Sequence, residues 1–415
     1  MVFLRFLKGN IIIMISCFIL TSSSFSSGFV QEEPQFAKPQ SNGIQPSAEN
    51  VHSEIDIISD WYRYLGTSGH KTAEDYIYSK FESFGLNTSL QEYTVNRIDG
   101  NARGANVLGL LEGTLEPKKW LVIGGHYDAN IRATHGAYDN AAGAATVIEL
   151  ARYFVEYYQN QDGPEISTLF ATWDAEEGGG AGSSYFLENL PPEIKIVAYI
   201  NLDMYSLNYP IKNSIPGSSE EFFKLYLYAS PIVDFSKYSD IDYNDSIIDN
   251  FTIFQDLLKD ISYTQNGYPP EWVLVMDDTD GASDHKFFIR KSIPAVWFRG
   301  MNEYPKDEGD LNERNFKHTP VDTLETMELY AGGKSELLKG ISTGLTISYQ
   351  LALGVLNLSA AQGSSEPEPQ EAEEGGIFSD MGPTGYLIAV VAVIIILGIL
   401  YNLWVRNKRS KQNVQ

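Results

Sequence analysis

Trp120-Leu-Val-Ile-Gly-Gly-His-Tyr-Asp128 sets the reading of this chain. The apolar run to Gly125 is short and closed by two glycines, which suits a strand buried on both faces. His126 and Asp128 follow it directly. The pattern recurs downstream. Ser167–Trp173 is a second buried-strand candidate and runs into Asp174-Ala-Glu-Glu177; Ile196–Leu202 is a third and runs into Asp203. Pro294–Phe298 is a candidate fourth. Helical spacing of apolar residues marks Val51–Leu65 and Lys71–Phe84, the latter stopped by Gly85, and helices are also read over Asn140–Tyr158 and Gly332–Leu356. Strands alternating with helices predict an α/β fold: a mixed, mostly parallel central sheet with helices on both faces. Sites in such sheets form beyond the carboxyl ends of the strands. The polar clusters fall there.

Taken singly, these residues say little. The chain has six histidines. His126, two residues from Asp128, and His318, in His-Thr-Pro-Val-Asp322, have the surroundings of a metal ligand. Asp139, between a loop and a helix start, reads alone as a helix cap. Glu176-Glu177 reads alone as a solvated acidic pair, and Asp203 as a turn residue. Together they supply five nitrogen and oxygen ligands plus a spare carboxylate, which is what a two-metal hydrolase requires.

Six segments in order make the pattern specific. They are His-Tyr-Asp (126–128), Gly-Ala-Tyr-Asp-Asn-Ala-Ala-Gly (136–143), Glu-Glu-Gly-Gly-Gly-Ala-Gly-Ser (176–183), Asn-Leu-Asp-Met (201–204), Ser-Asp-His (283–285) and His-Thr-Pro-Val-Asp-Thr (318–323). Over about 270 residues the chain resembles the co-catalytic zinc aminopeptidase family, which includes secreted bacterial leucine aminopeptidases, glutamate carboxypeptidases and glutaminyl cyclases. The resemblance implies a zinc-exopeptidase fold and two Zn²⁺ ions. His126, Asp139 and Asp203 would hold one ion. Asp139, Glu177 and His318 would hold the other, with Asp139 bridging. Glu176 would be the general base, and Asp128 would fix the tautomer of His126; Asp322 would support the His318 loop. The peptide after the bridging Asp is often cis in the family. The implied activity is removal of N-terminal residues from free-amine peptides by attack of a hydroxide that bridges the zincs. A cyclase, a carboxypeptidase with Arg132 and Arg299 in a basic pocket, and a receptor-like relative are the other readings. The Tyr that some relatives carry three residues before Ser-Asp-His is Asp280 here, which leaves the oxyanion donor unassigned.

The ends of the chain read differently from its middle. Residues 1–30, with Arg5 and Lys8 before the apolar Ile11–Leu20, suit a secretory signal. Residues 31–50 read as a disordered spacer, 51–360 as the peptidase domain and 361–382 as an acidic stalk. The apolar run over 385–405 is long enough to span a membrane, and 406–415 is a basic tail of the kind that stays cytoplasmic. These features predict a cell-surface enzyme anchored by its C-terminal helix. The segments 1–30 and 381–415 contain no acidic residue and six basic ones, leaving the middle with 24 basic and 54 acidic residues, a net charge of −30. Such a surface repels nucleic acid. The single cysteine, Cys17, lies in the signal region, so the mature domain would hold no disulfide.

Overall fold

The computed structural model describes residues 44–96, 100–207, 223–302 and 316–363. The predicted signal, membrane span and basic tail lie outside the described residues, as do 31–43 of the spacer and 364–382 of the stalk. The inner edges of those last two segments differ from expectation. Residues 48–50 open the first helix, which Ser47 caps through the Asn50 amide, and residues 361–363 continue the last helix.

Eight strands form one sheet in the order β1-β2-β4-β3-β5-β8-β6-β7. The strands are β1 (Asn87–Val95), β2 (Ala102–Leu111), β3 (Glu116–His126), β4 (Ile166–Trp173), β5 (Lys195–Leu202), β6 (Phe223–Ala229), β7 (Val273–Asp277) and β8 (Ala295–Asn302). The central four, β4-β3-β5-β8, are parallel; β2 and β6 run antiparallel to their central neighbours. All four strands read from the sequence form this parallel centre. The flanking strands were not read: β1 is an edge strand of alternating polar residues with no continuous apolar run.

All eight residues of β4 are buried, so helices must cover both sides. Because side chains alternate across a strand, neighbours belong to different cores. Ile123, Phe170 and Ile200 join the larger core, under α1 (Ala48–Ser59), α2 (Ser68–Ser83), α3 (Ala142–Tyr158) and α8 (Lys334–Gly363). Val122, Leu169 and Tyr199 face the smaller one, with Phe186 of α4 (Ala181–Glu188) and Phe288 of α6 (His285–Arg290). The other helices are α5 (Asp245–Lys259) and α7 (Leu324–Ala331).

Two helix boundaries differ from the pattern for physical reasons. The helix expected to reach Leu65 stops at Ser59, because the buried Arg63 guanidinium collects the carbonyls of Ile58 (2.9 Å) and Trp61 (3.3 Å). The helix expected from Asn140 begins at Ala142, since Asp139 and Asn140 are non-helical. Helix α8 is apolar enough to cross a membrane, but Leu337, Ile341, Leu345 and Leu351 bury it in the larger core. It is a core helix.

Candidate metal centre

Three strand ends and two turns converge. His126 is the last residue of β3, and Asp203 follows the last residue of β5. Asp139 sits in an irregular turn, Ala137–Ala141, whose Asp139–Asn140 peptide is cis, as the resemblance implied. The turn is pinned by Asn140, whose amide donates to the Leu202 carbonyl (2.9 Å) and accepts from the Gly143 amide (2.9 Å). Asn140, not Asp139, therefore holds the first turn of α3. A Cβ on Gly143 would lie 2.0 Å from the Leu202 carbonyl oxygen, so only glycine lets α3 start this close to β5.

His126 Nε2 lies 3.3 Å from Asp139 Oδ1 and 3.5 Å from Asp203 Oδ1. His318 Nε2 lies 2.9 Å from Asp139 Oδ2 and 3.0 Å from Glu177 Oε2. The two Asp139 oxygens thus face two separate three-residue groups, each compact enough to hold a metal ion. Donors about 2.0–2.1 Å from a tetrahedral zinc stand roughly 3.3 Å apart, so the spacing fits. His126 Nε2, Asp203 Oδ1 and Glu177 Oε1 are buried without a hydrogen-bond partner among the described residues. Orphaned polar atoms of this kind are costly unless something not made of protein satisfies them.

Backbone and side-chain contacts aim these groups. Asp128 lies 3.3 Å from His126 Nδ1, and its carboxylate accepts the amides of Glu176 (3.0 Å) and Glu177 (3.2 Å). It therefore joins the β3 end to the turn after β4. Ser283 donates to Asp203 Oδ2 (2.7 Å) and accepts from Asn201 (2.7 Å), which in turn accepts from Tyr199 (2.7 Å). Asp322, expected to support the His318 loop, donates its amide to the Thr319 carbonyl within it (3.2 Å) and ties it to the Asp139 segment, its carboxylate accepting the amides of Tyr138 (2.7 Å) and Asp139 (3.2 Å). Arg63 donates to the carbonyls of Tyr127 (2.8 Å) and Gly136 (2.7 Å), next to His126 and ahead of Asp139. Ser283, Arg63 and Asn201 carried no assigned role in the sequence. The Ser-Asp-His and Asn-Leu-Asp-Met segments were signals for Ser283 and Asn201; Arg63 acts through contacts distant in sequence.

The charges explain why cations belong here. Burial disfavours the His126 imidazolium, yet the carboxylates of Asp128, Asp139 and Asp203 overcome it and raise the group well above its ordinary value. His318 likewise, against its burial, is raised by Asp139 and Glu177 to about 10. Burial acts the other way on Asp139, but Lys317 and the two histidines hold it well below the usual carboxylate range. Glu176 is pushed well up, first by burial and then by neighbouring carboxylates, with His126 opposing. No described residue donates a hydrogen bond to the Glu176 carboxylate, which lines the same cleft as Asp139, Glu177, Asp203 and His318.

The remaining histidines stay apart from both groups. His285 is buried against Asp278 (2.7 Å), and His135 meets the Ser59 carbonyl (3.0 Å). Asp280 accepts from Arg299 (2.5 Å), so it offers no donor where some relatives carry a Tyr.

A family model, Peptidase family M28, matches residues 106–336. The mouse protein named Aminopeptidase NAALADL1 is 33% identical over 125 residues, which are 29% of this chain and 16% of that protein. The chain thus spans a small part of that relative's length. Among solved structures, an aminopeptidase from Aneurinibacillus sp. strain AM-1 (TM-score 0.52, 16% identity) is covered over 94% of its chain and 74% of this one. A glutaminyl cyclase from Porphyromonas gingivalis (TM-score 0.51, 18% identity) is covered over 98% of its chain and 74% of this one, so the fold is common to both. With a family match that takes in the strand ends, both acidic turns and the His318 loop, this chain belongs to peptidase family M28.

Proposed function

We propose that this chain is a two-zinc aminopeptidase that removes N-terminal residues from peptides. The observation that carries the proposal is Asp139, with one oxygen toward His126 and Asp203 and the other toward His318 and Glu177. In this reading His126, Asp139 and Asp203 hold one ion, and Asp139, Glu177 and His318 the other. Bound zinc supplies a water acidified from about 15.7 toward about 7 and a polarised carbonyl. Glu176, facing the cleft without a hydrogen-bond donor, takes the water proton and delivers it to the leaving amine. Asp128 keeps the His126 ring oriented with Nε2 toward the metals. The same reading places the enzyme at the cell surface, held by the apolar run 385–405 and the basic tail behind it.

The test is hydrolysis of aminoacyl-p-nitroanilides by the full-length chain, with and without a zinc chelator. Chelator-sensitive release from free-amine substrates and none from N-blocked ones is expected. Release of ammonia from N-terminal glutaminyl peptides, with the peptide bonds intact, would replace the aminopeptidase reading by a cyclase.

A further inference from the structure

The loop that follows His126 grips Glu177 twice. Asp128 accepts the Glu177 amide (3.2 Å), and Asn130 Nδ2 donates to Glu177 Oε2 (3.0 Å). The second contact joins residues 47 positions apart, so no local pattern announces it.

The direction of the Asn130 amide is fixed by its other end. Asn130 Oδ1 accepts the Arg132 amide (3.2 Å). Turned over, Oδ1 would face the Glu177 carboxylate and Nδ2 the Arg132 N–H, two repulsive pairs in place of two hydrogen bonds. The backbone around Asn130 is tied as well. Its carbonyl accepts the Ala133 amide (2.9 Å), the Ala129 amide donates to the Arg63 carbonyl (3.1 Å), and the Tyr62 hydroxyl donates to the Ile131 carbonyl (2.8 Å). Asn130 therefore reaches Glu177 from a loop that is held in place.

Glu177 stands in a glycine-rich turn, where little else restrains it. Its Oε2 faces His318 Nε2 (3.0 Å), and its Oε1 is buried with no partner among the described residues. Among those residues Asn130 is the one donor to its carboxylate from outside the candidate metal group. A neutral amide that donates to an ionised carboxylate makes a charge-assisted bond and leaves the carboxylate its charge for a cation. Ser283 stands in the same relation to Asp203 in the other group (2.7 Å).

We propose that Asn130 is a positioning residue for the second ion, fixing the Glu177 carboxylate as Ser283 fixes that of Asp203. This rests on the two-zinc reading.

The probe is the metal alone on the full-length chain: Zn²⁺ in competition with a chromophoric chelator, and Co²⁺ followed by its visible absorption. Asn130→Ser keeps a hydroxyl oxygen for the Arg132 amide, as serine does in such turns, but is too short to reach Glu177. It should weaken one of two equivalents by about 10–100-fold and alter the cobalt bands of that equivalent. Asn130→Ala, which loses both contacts, should weaken it equally. In a His318→Ala background Asn130→Ser should leave the remaining equivalent unchanged. A role confined to the loop predicts otherwise, with Asn130→Ser binding as the unaltered chain does and only Asn130→Ala weakened. That result, or two unchanged equivalents in both variants, or weakening in the His318→Ala background, overturns the proposal. Uptake of a single equivalent by the unaltered chain overturns the two-ion reading and the role of Asn130 with it. Two equivalents, one of them weakened in Asn130→Ser, with no hydrolysis of any aminoacyl substrate, sustain the role of Asn130 and remove the aminopeptidase reading.

Discussion

The two candidate metal-holding groups share Asp139 but are built differently. In the first, His126, Asp139 and Asp203 are all buried, and two of them stand at the ends of central parallel strands. Asp203 is held by Ser283 and His126 is flanked by Asp128. In the second, Glu177 lies in a glycine-rich turn, and His318 lies in a loop with a left-handed backbone (φ 60°) and a side chain 37% exposed. The difference teaches that strand ends give a site whose donors cannot relax, whereas loops give one that can open. The first ion should be held tightly and the second should exchange.

The largest effect tests the proposed chemistry. Glu176→Gln should lower kcat by about 10²–10⁴-fold, the usual worth of a general base, with zinc content unchanged by elemental analysis. Full turnover in that variant would remove Glu176 from the mechanism. Next, titration with a chelator should remove one equivalent of metal before the other, and His318→Ala should bind a single equivalent. Joint release of both ions would break the comparison. Ser283→Ala sharpens it: loss of the hydrogen bond to Asp203 should weaken only the tighter ion, by about 10–100-fold in competition with a chromophoric chelator.

The smallest expected effect lies at the His70–Asp174 pair of the scaffold. Burial disfavours the His70 imidazolium, but its 2.8 Å hydrogen bond to Asp174 overrides this and raises the group above its ordinary value. A raised folded-state value adds stability that is full below about pH 6.5 and is lost as the pH climbs through the folded value. The unfolding free energy from urea titrations should therefore fall as the pH rises above about 6.5, and His70→Phe should flatten that slope. An equal slope in the variant would show that the pair contributes nothing.

Much of this was legible in the sequence, for local reasons. Trp120–Gly125, Ser167–Trp173 and Ile196–Leu202 are apolar without alternation because both faces of a central parallel strand are covered, and the residue after each run is where a site must form. The five metal-holding candidates and Glu176 could be named from that pattern and the family resemblance. Their convergence is a matter of three-dimensional geometry. Where the helix pattern misled, a side chain had intervened. Arg63 takes the Ile58 carbonyl at the end of α1, and Asn140 takes the Gly143 amide at the start of α3. Asp322 reached the Asp139 amide across 183 positions.

The sequence by itself named the candidates for the chemistry through the family resemblance, and its hydrophobic period set His126, Glu176, Glu177 and Asp203 behind buried strands, because hydrophobic period and residue type are local properties. Only the tertiary structure decided that Asp139 faces both groups, that Ser283 and Asp128 aim the donors, and that Asn130 reaches Glu177. Electrostatics and hydrogen bonding act over a few ångströms of space, and the residues they join here lie far apart along the chain.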